Sequence, residues 1–145
     1  MIGFIVNPVS GSGRGAKIWK VIDEELRNRD IPFRVRFTAG PGDAVRMAKE
    51  MATDAKITAV VAVSGDGTVN EVIQGLWETS LTNPTVFGHI PAGSGNDFAR
   101  GHGIPADTGK LELFAAACRG PRWRRGYRPA GIEKPHRRQF HRLRV

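Results

Sequence analysis

Apolar residues in this chain fall into short dense runs separated by longer segments with helical spacing. Ile2-Gly3-Phe4-Ile5-Val6 is the first run. Ile57 to Val63 is another, almost wholly apolar and either β-branched or small. Runs of this length without polar alternation predict strands covered on both faces, as in a parallel sheet. Ile31 to Phe37 differs, because Phe33, Val35 and Phe37 alternate with Arg34 and Arg36, which predicts a strand nearer a sheet edge. Pro84 to Ile90 completes a set of four. Between these runs, Ile18, Trp19, Ile22 and Leu26 predict a helix from about Ala16 to Asn28. Ala44, Met47, Ala48 and Met51 give the helix from about Asp43 to Met51 an inward face, which reads as core and not as a cofactor contact. A further helix follows Val63 after a short glycine turn, and Leu111 to Cys118 predicts a last one, opened by Asp107 or Thr108. Strands alternating with helices predict an α/β fold, a doubly wound and mostly parallel sheet with helices on both faces.

Ligands of such sheets collect at the carboxyl ends of the strands, so the turns leaving them carry the candidate chemistry. Those turns hold Asn7 and Ser10, then Thr38, then Ser64 to Asn70, then Ser94 to Asp97. In the third, Gly65 and Gly67 are expected to allow positive φ and the close approach of a ligand. Thr68 and Asn70 sit at the mouth of the next helix, whose free N–H groups and dipole suit a phosphate. Asp66 lies between the glycines. A turn built for geometry alone needs no acid there, so Asp66 points to magnesium-nucleotide or proton-transfer work. The first turn, Asn7 to Gly15, lacks the G-x-x-x-x-G-K-[ST] spacing of a P-loop. Its alternating Gly11, Gly13 and Gly15 also fail the G-x-G-x-x-G dinucleotide pattern. Four polar, glycine-bearing turns on one edge predict a phosphate-handling cleft.

Composition changes this picture little. The 145 residues suit one domain, with no apolar run of about 18 or more and no signal-peptide pattern at the start. One cysteine, Cys118, allows no internal disulfide; it reads as a small core residue and fits a reducing cytoplasm. The net charge of +8 suggests a nucleic-acid partner, but its distribution argues against one. Up to Cys118 there are 12 Lys and Arg against 13 Asp and Glu, whereas from Arg119 onward ten basic residues face only Glu133. The basicity belongs to the tail and says nothing about the body. His89 and His102 flank the fourth turn and, without partners in view, read as structural.

Three motifs in these turns resemble those of the diacylglycerol kinase and sphingosine kinase family of lipid kinases, in its catalytic N-terminal domain. They are Asn7-Pro8-x-Ser10-Gly11, Ser64-Gly65-Asp66-Gly67-Thr68-x-Asn70-Glu71-Val72, and Pro91-x-Gly93-Ser94-Gly95-Asn96-Asp97-Phe98-Ala99-Arg100. The resemblance covers about Ile2 to Ala117 and implies a fold related to NAD kinase and phosphofructokinase. It implies an ATP site lined by Asn7, Ser10, Thr38, the turn Ser64, Gly65, Asp66, Gly67, Thr68, Val69 and Asn70, and Ser94. Asp66 would act at the γ-phosphate, either organising Mg2+ through water or accepting a proton from the lipid hydroxyl. Asn7 would shape its turn or touch the nucleotide. Asn96 and Asp97 would bind substrate, with helix capping as the equal alternative. No residue is assigned as a direct metal ligand.

The implied activity is ATP-dependent transfer of the γ-phosphate to a hydroxyl of diacylglycerol or a related lipid at a membrane surface. A cytoplasmic, peripheral location goes with it. The alternative is a nucleotide-binding module without catalysis. Two departures from the family pattern bear on this. Ser64 stands where a first glycine is usual, as in the sphingosine kinase branch. The resemblance also implies a strand-rich C-terminal domain, which is missing here, so the catalytic domain at 1–118 is expected to be weak or inactive alone. Residues 119–145 hold 9 Arg, 3 Gly and 3 Pro, and read as a disordered tail. Such a tail could dock on anionic headgroups or remain solvated. Out-of-frame translation of GC-rich DNA is the favoured reading, because composition changes abruptly where the second domain should begin.

Overall fold

In a computed structural model that describes residues 1–79 and 85–104, the apolar runs form four strands. These are β1 (Ile2–Val6), β2 (Phe33–Phe37), β3 (Ala59–Ser64) and β4 (Val86–Pro91). They alternate with α1 (Ser10–Asn28), α2 (Asp43–Thr53) and α3 (Asp66–Thr79), and the short α4 (Asp97–Gly101) follows β4. The strand order is β2-β1-β3-β4. Every neighbouring pair is parallel, so all four carboxyl ends open on one edge.

Alternation along the central strands feeds two cores. Ile5, Val60 and Ala62 face α2 and α3, meeting Ala44, Met47, Ala48 and Met51 from one helix and Val69, Val72 and Leu76 from the other. Phe4, Val6, Val61 and Val63 face α1, meeting Trp19, Ile22 and Leu26. The α/β reading with helices on both faces therefore holds, as does the inward face assigned to α2. The Phe4 ring lies 5.1 Å from Trp19 and 6.1 Å from Phe33, an aromatic cluster that seats α1. α2 and α3 approach main chain to main chain at Gly75, where a Cβ would come within 2.4 Å of the Val45 carbonyl oxygen.

β2 is an edge strand, as its alternation predicts. Phe33 and Val35 pack toward α1, while Arg34 pairs with Asp54 at 2.8 Å and Arg36 with Glu50 on α2. Element boundaries move for local reasons. Ile31 donates its N–H to Leu26 O, closing α1, and Pro32 has no N–H to give, so β2 begins at Phe33. The Ile57 amide closes a turn onto Asp54 O at 2.8 Å, so β3 begins two residues later than expected. α2 runs on to Thr53 because Ala52 also belongs to the core. β4 begins at Val86; Pro84 lies outside the described residues. The helix expected at Leu111 to Cys118, its opening at Asp107 or Thr108, Cys118 itself and the tail at 119–145 also lie outside them. Among the described residues, no helix is long and apolar enough to cross a membrane.

Candidate functional site

Three main-chain hydrogen bonds carry the sheet ladder one step past the strand ends. The amides of Thr38, Asn7 and Ala92 donate to the carbonyls of Val6 (2.9 Å), Val63 (3.0 Å) and Ser64 (2.9 Å). The turns bearing Asn7, Thr38, Asp66 and Ser94 thus leave the sheet side by side. Asn7 Oδ1 accepts from the Val9 amide at 3.2 Å, and its Nδ2 donates to Thr68 Oγ1 at 3.0 Å, joining the first turn to the start of α3. Ser10 Oγ donates to Ala92 O at 3.4 Å, joining the same turn to the end of β4. Between Ser10 and the regular part of α1, Gly11, Ser12 and Gly13 all occupy the left-handed region, with φ of 55°, 57° and 87°. A Cβ at Gly11 would stand 2.3 Å from Ala92 O, so this turn lies flat against the exit of β4.

The turn after β3 corrects one expectation. Neither Gly65 nor Gly67 adopts positive φ, because the chain passes straight from Ser64 into α3 at Asp66. Gly65 is crowded instead, since a Cβ there would lie 3.1 Å from Gly93 Cα. A Cβ on Gly93 would fall 2.5 Å from Gly65 Cα, so the turns after β3 and β4 meet main chain to main chain. Nothing lies within 4 Å of a Cβ placed at Gly67.

Asp66 links these turns. Its Oδ2 accepts from the Asp97 amide at 3.1 Å and its Oδ1 from the Phe98 amide at 3.0 Å, the two opening N–H groups of α4. Burial alone would raise its pKa. The amides of Phe98 and Asp97, with smaller help from His89 and Arg100, outweigh burial and hold the carboxylate below its ordinary range. Capping of α4 therefore comes from Asp66 and not from Asn96. Asn96 sits in the left-handed region (φ 54°) and folds back on its own turn, Oδ1 accepting from Gly93 N–H and Nδ2 donating to Gly93 O, each at 2.9 Å. Asp97 is exposed and pairs with Arg100. The position a Cβ on Gly95 would take lies 3.3 Å from Asp66 Oδ2 and 3.7 Å from Asp97 Oδ2, so the two carboxylates flank one glycine.

The remaining candidates divide by exposure. Asn70, Gly67 and Ser94 are exposed and Thr38 is half-buried. Val69 belongs to the core, and its amide is spent on Gly65 O. Ser64 is fully buried, with no partner for its Oγ among the described residues. Two contributors were not anticipated. Glu71 Oε2 accepts the Ala44 amide at 3.2 Å, so α3 caps α2 as well as α4. His89, read earlier as structural, is 7% exposed and holds the Ser64 carbonyl through Nε2 at 3.0 Å. No local pattern could have given either partner. Among the described residues no three His, Cys, Asp or Glu side chains cluster as a ready-made metal centre. Two carboxylates flanking a glycine do fit a hard cation that keeps most of its waters.

Known proteins resemble this chain in sequence and in fold. The sequence profile of the diacylglycerol kinase catalytic domain matches residues 1–121. The chain is 36% identical over 103 residues to the putative lipid kinase YtlR of Bacillus subtilis, covering 70% of this chain and 32% of that protein. It is 37% identical over 103 residues to a diacylglycerol kinase of the same organism, covering 71% and 33%. The chain thus spans about a third of the length of the curated relatives it matches. In three dimensions it resembles a diacylglycerol kinase from Bacillus anthracis with a TM-score of 0.63 and 30% identity, covering 74% of this chain and 38% of that one. With its profile matched across most of its length and its turns converging on one sheet edge, the chain belongs to the diacylglycerol kinase catalytic domain family.

Proposed function

We propose that this chain forms the nucleotide-binding half of an ATP-dependent lipid kinase, transferring the γ-phosphate to a hydroxyl of diacylglycerol or a related lipid at a membrane surface. The observation that carries this reading is Asp66, a carboxylate held ionised where three glycine-bearing turns meet. The hydroxyls of Ser10, Thr38, Thr68 and Ser94 and the opening N–H groups of α3 within the turn Ser64 to Asn70 would line the phosphates, with Asn7 and Asn96 shaping their turns. Phosphoryl transfer asks mainly for positioning and charge neutralisation, which such a set can supply.

The direction of the Asp66 pKa supports one of its two roles over the other. A carboxylate stabilised by two amides is a weak base, which favours an electrostatic role over proton abstraction. When bound, Mg2+ would neutralise phosphate charge, and Asp66 and Asp97 on either side of Gly95 are the oxygen donors that would hold it through water. Titration calorimetry with ATP and Mg2+, followed by labelled-phosphate transfer to diacylglycerol in vesicles, tests the proposal. Binding with transfer supports it. Binding without transfer leaves a nucleotide-binding module, and no binding removes both readings.

A further inference from the structure

Among the described residues, His89 is the titratable side chain most thoroughly enclosed beside this site, and nothing in the phosphate-binding reading uses it. Its Nε2 lies 3.0 Å from Ser64 O. A carbonyl can only accept, so Nε2 carries the hydrogen and the neutral ring leaves Nδ1 as a bare acceptor. Nδ1 is buried without a partner among the described residues, so a second ring proton would have nowhere to go. Burial lowers the pKa of His89, against smaller opposing effects from the Ser64 carbonyl and Asp66, which agrees with a ring held neutral.

The ring belongs to a closed circuit. Ser64 O receives both His89 Nε2–H and the Ala92 amide, which immobilises the last peptide before the Gly65-Asp66 turn. Phe98 stands edge-on to His89 with ring centroids 5.5 Å apart, and the Phe98 amide is the one that Asp66 Oδ1 accepts. Phe87, at 5.8 Å, and the stacked His102, at 4.3 Å, hold Phe98 from other sides. The circuit runs from His89 to Ser64, along the chain to Asp66, across to Phe98 and back to His89.

We infer that His89 is a positioning residue for Asp66, aiming its carboxylate by fixing the Ser64 carbonyl on one side and Phe98 on the other. The catalytic consequence rests on the kinase reading, whereas the geometric one does not. Substitution by Leu keeps apolar volume and removes the donor. Substitution by Gln keeps an N–H at the reach of Nε2 and packs less well. In the full-length chain, NMR would follow Asp66 titration and hydrogen exchange at the Phe98 amide.

His89→Leu is expected to move the Asp66 pKa up toward the ordinary aspartate range and to speed Phe98 exchange about fivefold, the loss of roughly one hydrogen bond. His89→Gln should restore the Phe98 protection and most of the Asp66 shift, short of the small contribution of the His89 charge. In the transfer assay, His89→Leu should lower kcat by about tenfold or more with KM for ATP unchanged. The reverse ranking, with Leu like wild type and Gln impaired, would mean simple packing and overturns the inference. So does an unmoved Asp66 titration in a folded His89→Leu protein. If His89→Leu does not fold, a Gln variant that fails to keep the Phe98 protection and most of the Asp66 shift overturns it equally. Absence of phosphate transfer in wild type would remove the kinase reading and leave the NMR ranking to decide the role of His89.

Discussion

The turns after β1, β3 and β4 hold one another. Asn7 reaches Thr68, Ser10 reaches Ala92, Gly65 lies against Gly93, and Asp66 takes two amides of α4. The turn after β2 is built differently. Its Ala39 and Gly40 amides run to the Asp43 carboxylate of the helix that follows, at 2.8 and 3.1 Å. The amides of Ala39 and Gly40, with Arg46 between them in strength, hold Asp43 below its ordinary pKa on the surface. Arg46 and Glu50 then extend this to Arg36 on β2. One region is thus a long-range, half-buried lattice and the other a local, exposed relay. Long-range contacts over-determine a geometry, whereas an exposed relay yields to solvent and salt. The three interlocked turns therefore form the rigid end of this sheet edge, and the Thr38 turn the adaptable one.

The contrast can be broken most forcefully at Gly93. Gly93→Ala drives a methyl into Gly65 Cα, and a loss of about 1–3 kcal/mol in urea unfolding is expected, together with loss of ATP binding by calorimetry. Next comes Asp66→Asn, which weakens the cap of α4 by about 1 kcal/mol at neutral pH. Because the folded pKa of Asp66 is lowered, its stabilisation is full above about pH 4 and disappears as pH falls through the folded value. Urea midpoints of wild type and variant should therefore converge in acid. His89 adds a second window, since burial also lowers its folded pKa. Wild-type stability should decline as pH falls below about 6.5, and His89→Gln should lack that decline. Asn7→Ala, which removes the bridge to Thr68, should cost about 0.5–1 kcal/mol.

Smaller effects sharpen the comparison. Gly67→Ala, beside the essential Gly65 but in open space and already helical, should stabilise the fold by about half a kcal/mol. Arg46→Ala should shift the midpoint least, and that shift should vanish at about 1 M salt.

What could be read along the chain was whatever depends on near neighbours. Strand alternation at Phe33 to Phe37, the inward face of α2 and the polar turns at the carboxyl ends all follow from local periodicity. The positive φ expected at Gly65 is absent, and its constraint in the fold is Gly93, a contact made by folding. The same holds for Asp66 with Phe98, Glu71 with Ala44, and His89 with Ser64, pairs separated by 25 to 32 residues. Asn96 carries the residue type of a helix cap, yet its side chain closes its own turn while the Asp66 carboxylate occupies the helix mouth.

That α3 supplies the acid for the mouths of both α2 and α4 has a consequence for how this protein can change. Retuning Asp66 for another chemistry loosens a scaffold joint in the same stroke, so variation there is penalised twice. Change would be easier to absorb at exposed positions such as Ser94 and Asn70 in the same turns.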